Sequence, residues 1–262
     1  MVGPVCSHPN RPIPRRQDRA ISAEALLQAR RLTLAQPPLG PLDLALYPGE
    51  TTLLAGPSGS GKSRLLRALA DLDRASGGEL LLEGRTVREM SAPAYRSRVA
   101  YLPATPQLGS APVKGLLEQV AAFQHRRRCS DPRTGLERLG LPESILERSA
   151  DELSSGETVR VALALLLSGD AEVLLLDEPT GTLDPRSARA VEERIQERAR
   201  EDTSILWVSH DPDQAGRIGD ALLTLEGACL NGPLREPRLF PDTIRRLDPE
   251  ATIQSWGAQD DG

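Results

Sequence analysis

The residues best suited to chemistry in this chain begin with Gly56-Pro57-Ser58-Gly59-Ser60-Gly61-Lys62-Ser63, a Gly, four free positions, then Gly-Lys-Ser. This spacing fits a phosphate-binding loop. Its glycines let the backbone turn N–H groups inward around phosphates, and a helix starting at its end adds its positive pole. Lys62 would reach the β- and γ-phosphates as a compact charge, with the Ser63 hydroxyl on Mg²⁺. Of the 32 basic residues only Lys62 and Lys114 are lysines, so a lysine here points to chemical need rather than composition. The bland alternative is a structural Gly-rich turn. A second group is Asp177-Glu178, which ends the apolar run Val173-Leu174-Leu175-Leu176. A buried strand delivers an acid to Mg²⁺ in this way at the C-terminal edge of a sheet, and strands also commonly end in solvated acids. Asp177 would hold the metal through its water shell, and Glu178 is placed to polarise an attacking water. The third is His210, just after Ile205-Leu206-Trp207-Val208, where it could contact a γ-phosphate. A lone histidine is more often structural.

The elements that must position these groups follow from periodicity. Thr51–Ala55 reads as the strand before the loop, and Leu65, Leu66, Leu69 and Leu72 as one face of the helix behind it. Arg31–Leu34 and Leu42–Leu46 suggest antiparallel strands, with a turn at Pro48-Gly49-Glu50. Glu79–Gly84 reads as strand and turn, Arg98–Leu102 as a short strand. From about Pro106 to Asp151, Pro and Gly punctuate helical pieces such as Val113–Arg127 and Pro142–Arg148, which looks like a helical insertion. Glu157–Leu167 reads as a buried helix and Ala171–Leu176 as a strand covered on both faces, as in a parallel sheet. Ala188, Val191, Ile195 and Ala199 mark one face of a charged helix, followed by strands Ser204–Ser209 and Ala221–Leu225. The expected class is α/β: a mainly parallel core sheet flanked by helices, an N-terminal antiparallel β subdomain and an inserted helical subdomain at about 106–156. Residues 1–22, rich in Pro and Arg, read as a loosely attached arm, 23–230 as the domain, and 231–262 as a Pro-rich C-terminal tail with a short helix near Asp242–Leu247.

A chain of 262 residues suits one large domain, and the longest relevant apolar run, Val161–Leu167, is far short of a membrane-spanning helix. With no apolar core of a secretory signal at its start, a cytoplasmic location is expected. Cys6, Cys129 and Cys229 are odd in number and far apart, and read as free thiols. A net charge of −5 argues against general affinity for nucleic acid. The local run Arg126-Arg127-Arg128 reads as a solvated helix face, with an acidic partner or lipid headgroups as the alternative.

Leu153-Ser154-Ser155-Gly156-Glu157 resembles the signature sequence of ATP-binding cassette (ABC) ATPases, Gly181-Thr182-Leu183-Asp184 resembles their D-loop, and Ser209-His210-Asp211 their switch histidine. The order of these pieces matches the family from about Ala23 to Gly227. The resemblance implies a P-loop NTPase fold of ABC type. It also implies a head-to-tail homodimer around two ATP, with Ser154, Ser155, Gly156 and the D-loop Asp184 of one copy closing on the ATP held by Gly56–Ser63 of the other. Hydrolysis, with Mg²⁺, would reopen the dimer and drive a separate transmembrane permease, holding the ATPase at the inner face of the membrane. The run Val99–Leu108 together with Leu141–Leu146 looks like the small bacterial ATPases of proposed iron export.

The sequence departs from the family in four places. Ala104 stands where a Gln usually touches Mg²⁺ and links to the permease, with Gln107 three residues on. Ser155 stands where Gly is usual. No aromatic for adenine stacking occurs around Leu34-Ala35-Gln36, and Val159 and Leu165 replace polar residues of the signature helix. The alternative function is a soluble ABC ATPase acting on DNA or ribosomes. Those carry a long coiled coil or two cassettes, whereas this chain has one cassette without sustained heptads. A P-loop kinase or transferase would not need the Leu153–Glu157 signature.

Overall fold

Three strands are buried along their whole length: β3 (Thr51–Ala55), β7 (Val173–Asp177) and β8 (Ser204–Val208). The computed structural model describes residues 24–123 and 132–248. The N-terminal arm, Arg126–Arg128, Cys6 and Cys129 lie outside the described residues; Cys229 is an exposed free thiol.

The strands are buried on both faces because each feeds two cores. Successive side chains of a strand point to opposite faces. Leu53, Leu174, Leu176, Ile205 and Trp207 join one apolar cluster, while Leu54, Val173, Leu175, Leu206 and Val208 join the other. This is why these stretches read as continuous apolar runs rather than alternating ones. They form the centre of a six-stranded sheet in the order β10-β9-β3-β8-β7-β6, with β6 at Val99–Leu102, β9 at Ala221–Glu226 and β10 at Cys229–Leu234. All pairings are parallel except that of β10 with β9. Parallel pairing puts the C-terminal ends of β3, β7 and β8 at one edge.

On one face lies α1 (Lys62–Leu69) with a four-stranded antiparallel sheet, order β2-β1-β4-β5, built from β1 (Leu27–Leu34), β2 (Leu39–Leu46), β4 (Gly77–Leu82) and β5 (Arg85–Thr86). A short helix α2 (Ala92–Arg96), capped by Ser91, brings Tyr95 into the same core. On the other face lie α3 (Val113–Phe123), α4 (Pro132–Arg138) and α5 (Ser155–Leu167), then α6 (Pro185–Arg200), α7 (Pro212–Ile218) and α8 (Phe240–Leu247). The fold is α/β with a mainly parallel core sheet, an antiparallel β part and helices between β6 and β7.

Several expectations need correction. The apolar face drawn through Leu65, Leu66, Leu69 and Leu72 stops at Leu69, and Leu72 is 46% exposed. Asp71 adopts a left-handed φ of 54°, and the N–H of Leu72 turns back to the Arg67 carbonyl, which ends the helix. Pro142–Arg148 forms only a short 3₁₀ segment, Glu143–Glu147. The largest change is at the C-terminus. β10 runs across residue 231, and α8 buries Phe240, Ile244 and Leu247 in the main core, so the chain through Leu247 is part of the folded body and not a tail.

Phe240 is completely buried. Phe240→Ala should therefore cost about 3–5 kcal/mol, the usual range for emptying a buried phenylalanine site. Urea unfolding followed by far-UV circular dichroism checks this, and a midpoint equal to wild type would mean that α8 does not belong to the core.

Candidate active site

Between β3 and α1 the loop Gly56–Gly61 wraps a concave backbone. Gly56, at φ +156°, passes so close to β9 that a Cβ there would sit 2.3 Å from the Leu225 carbonyl oxygen. Gly61, at φ +102°, occupies the left-handed position that leads into the helix. The first N–H groups of α1 have no partner inside the helix and point toward the loop. The Lys62 ammonium lies over this loop, donating to the carbonyls of Gly56 at 2.7 Å and Pro57 at 3.0 Å. Burial lowers its pKa, and the nearby carboxylates of Glu178, Asp248 and Asp177 partly offset that effect. Inside the loop the Ser60 hydroxyl is buried without a hydrogen-bond partner. Oriented N–H groups, a desolvated ammonium and an unpaired buried hydroxyl fit a phosphate chain.

The two acids leave β7 with opposite environments. Asp177, 3% exposed, has its pKa raised chiefly by burial, although the Ser63 hydroxyl bonds to it and stabilises its charge. The Tyr101 hydroxyl lies 3.4 Å from Asp177 Oδ2, and burial pushes that phenol up to about 12. Glu178 is lowered instead, first by its hydrogen bond with His210, whose Nε2 lies 3.2 Å from Oε1. Glu178 also has a left-handed φ of 49°, and its N–H donates to the Val208 carbonyl at 3.2 Å. A non-glycine residue held there costs on the order of 1–3 kcal/mol and is maintained by its surroundings. Those surroundings include a buried network: Ser209 donates to Gln214 Oε1 at 2.7 Å, and Gln214 Nε2 donates to both Thr180 Oγ1 and Glu192 Oε1 at 2.9 Å. It ties the loop after β7 to the loop after β8. On its far side the His210 ring places Nδ1 at 2.8 Å from Asp248 Oδ2.

Lys62, Ser63, Asp177, Glu178 and His210 thus come together. Among the described residues no three His, Cys, Asp or Glu side chains form a metal cluster. The Ser63 hydroxyl and Asp177 carboxylate fit a hard ion that takes its other oxygens from phosphate and water, as Mg²⁺ does.

Ser154, Ser155, Gly156 and Asp184 stand apart from this group. Ser154 caps α5 in a reciprocal box with Glu157, and Arg148 holds the other oxygen of Glu157 at 2.8 Å. The Ser154 hydrogen bonds lower the pKa of Glu157. Gly156 packs on the D-loop stretch, where a Cβ would lie 3.2 Å from Leu183 Cδ2. Asp184 is exposed and caps α6 by accepting from the N–H groups of Arg186 and Ser187. Ala104 and Gln107 line an open groove of about 580 Å³ together with Asp151, Ser155, Thr158 and Thr182. Tyr101, Gln214 and Asp248 were not singled out from sequence. Tyr101 reads there as an ordinary strand residue, Gln214 falls between two strands where no element is read, and Asp248 has no local pattern around it.

Residues 39–181 match the ABC transporter family. The chain belongs to the ABC transporter ATP-binding family. It is 39% identical over 204 residues to the "Probable iron export ATP-binding protein FetA" of Escherichia coli (strain K12), covering 76% of this chain and 88% of that one. It is also 38% identical over 209 residues to the "Lipoprotein-releasing system ATP-binding protein LolD" of Shewanella oneidensis, covering 74% of this chain and 88% of that one. A solved dimeric bacterial ABC transporter cassette shares the fold with a TM-score of 0.70 at 20% identity, covering 80% of this chain and 98% of that one. As an ABC ATPase the chain binds and hydrolyses ATP. Among the described residues of this ABC ATPase, no helix is long and apolar enough to cross a membrane.

The Glu178–His210 pair gives the ABC ATPase a pH signature. His210 is raised above its ordinary 6.5, first by the Glu178 hydrogen bond. Its charged-form contribution to stability is complete below that ordinary value and is lost as pH rises through the raised one. His210→Gln should therefore lower the melting temperature more at about pH 6 than at about pH 9. A difference from wild type that stayed constant, or grew with pH, would contradict this pairing.

Proposed function

We propose that this chain is the ATP-hydrolysing subunit of a transporter whose membrane-spanning permease is a separate protein, and that two copies close head to tail around two ATP. The observation that carries this reading is that Lys62, Asp177, Glu178 and His210 meet at one sheet edge, while the hydrogen bonds of the Ser154 cap stay within Ser154–Thr158 and none reaches that group. Ser154–Gly156 and Asp184 are then supplied to each ATP by the second copy, and the solved dimeric cassette of the same fold supports this. In each site the N–H groups of Gly56–Ser63 and the Lys62 ammonium hold the phosphates. Ser63 and Asp177 would hold Mg²⁺, whose charge would offset that of the phosphates. Glu178, kept ionised, accepts a proton from the attacking water, and His210 Nε2 orients Glu178 and the γ-phosphate.

The permease would hold the ATPase at the inner face of the membrane, docking over the groove of residues 104–110 beside Ser155 and Thr158. Iron export is the cargo supported by the FetA relative, and the nearly equal identity to a lipoprotein-releasing protein makes the permease the deciding element. The acidic balance, −5, supports a partner other than nucleic acid.

Lys62→Ala should abolish tight ATP binding, measured by equilibrium titration; unchanged affinity would remove the basis of the site. Glu178→Gln should keep ATP binding, lose about 100-fold or more in hydrolysis, and accumulate as a dimer with Mg-ATP in size-exclusion chromatography. That trapped dimer, purified from gently solubilised membranes, should bring down a multi-spanning protein at near-equal stoichiometry. Recovery of ribosomes or DNA-bound factors instead would move the soluble alternative ahead.

A further inference from the structure

His210 touches two carboxylates, and only one of them belongs to the reacting group. Glu178 Oε1 is 3.2 Å from Nε2, and Asp248 Oδ2 is 2.8 Å from Nδ1. A ring N–H donates and a carboxylate oxygen accepts, so the two contacts turn one ring nitrogen to each acid and set the Nε2 edge toward the Lys62 side of the site. We propose that Asp248 is a positioning residue for ATP hydrolysis, holding the His210 ring through Nδ1 so that Nε2 faces Glu178 and the γ-phosphate. This rests on the roles proposed above for Glu178 and His210.

The fold places Asp248 there by a construction separate from the site itself. α7 begins two residues after His210, with Asp211 as its cap, and α8 packs on α7. Phe240, Ile244 and Leu247 anchor α8 in the core, and Gly216 of α7 lets Pro241 approach to within 3.4 Å of where a Cβ would stand. Arg245 of α8 also pairs with Asp213 of α7 at 3.1 Å. The end of α8 is thereby set beside the start of α7. Locally, an acid is a poor choice at this position, because the C-terminal end of a helix carries the negative pole of its dipole. The His210 contact accounts for an acid in that place, and the side chains of both residues are largely enclosed, at 25% and 17% exposure.

A second possibility at the same contact is obstruction. A third carboxylate near Lys62 would repel the nucleotide, and its removal would then tighten ATP binding. Asp248→Asn separates the two, since it keeps size and packing while removing the obligate acceptor. With the full-length chain and Mg-ATP, kcat should fall about 10-fold, with KM for ATP within about twofold and the chain still folded with a cooperative thermal transition. In a His210→Ala background, Asp248→Asn should have no further effect. In the wild-type chain, ¹⁵N spectra of the His210 imidazole should show Nδ1 protonated, a reading that needs no variant. An unchanged or increased kcat, a change confined to KM, additive losses with His210→Ala, or an unprotonated Nδ1 would each overturn the inference. If His210→Ala and Glu178→Gln themselves hydrolyse ATP at the wild-type rate, it is the site reading that fails.

Discussion

Burying the Lys62 ammonium is the constraint from which the rest of the site follows. At 6% exposure it has lost most of its water, and desolvation is the largest influence on its titration. An ammonium so placed needs acceptors close by and negative charge around it. The acceptors are the carbonyls of Gly56 and Pro57, which can face inward only because Gly56 has room for a hydrogen and nothing more against β9. The negative charge comes from Asp177, Glu178 and Asp248. Two of these acids arrive because β7 runs parallel to β8 and ends at the same edge as β3. The sheet's order is thus also the electrostatic solution for one lysine.

The cost of that solution is concentrated where function is. Asp177 is an acid held in a buried position, and Glu178 sits in a backbone region that disfavours any side chain. Residues that break local rules within an otherwise consistent fold mark places where the surroundings impose a geometry. Here the imposing structure is identifiable: the Ser209–Gln214–Thr180 hydrogen bonds join the loops after β7 and β8, and Gln214 also takes hold of the buried Glu192 of α6. Glu178 and His210 are therefore set relative to each other by the backbone on both sides, not only by their own 3.2 Å contact.

How much could be read beforehand depended on whether the signal was local. The strand Thr51–Ala55 has the same limits in the structure as in the sequence, because a short apolar run between two turn-forming clusters leaves little freedom. Lys62, Ser63, Asp177, Glu178 and His210 were legible as candidates for the same reason: each terminates or begins such a run. β10 was not. Its sequence, Cys229–Leu234, contains Gly232-Pro233 and reads as loop, yet it pairs with β9 as the end strand of the described sheet, where proline is tolerated. A short helix near Asp242–Leu247 was legible, but not that Phe240, Ile244 and Leu247 would anchor it in the main core. Asp248 therefore remained invisible, since its partner lies 38 residues away and the contact exists only once α7 and α8 are side by side.

The same distinction separates the two halves of the nucleotide machinery. The phosphate loop and the acids are carried by strand ends, whereas Ser154–Gly156 sits on a helix cap whose stability comes from Glu157 and Arg148, neither of which belongs to the phosphate cluster. The link between the halves within one chain is the segment Glu178–Asp184. Gly181 lies beside Glu178, where a Cβ would stand at an ordinary contact distance of 3.6 Å from Glu178 Oε2, and Leu183 covers Gly156 at the other end. Gly156 is the tighter of the two, since a Cβ there would stand 3.2 Å from Leu183 Cδ2. The stretch Glu178–Asp184 thus touches Glu178 at one end and the start of α5 at the other. In the proposed dimer, contact of a second copy with this cap and the setting of Glu178 would be constrained by the same short stretch of chain.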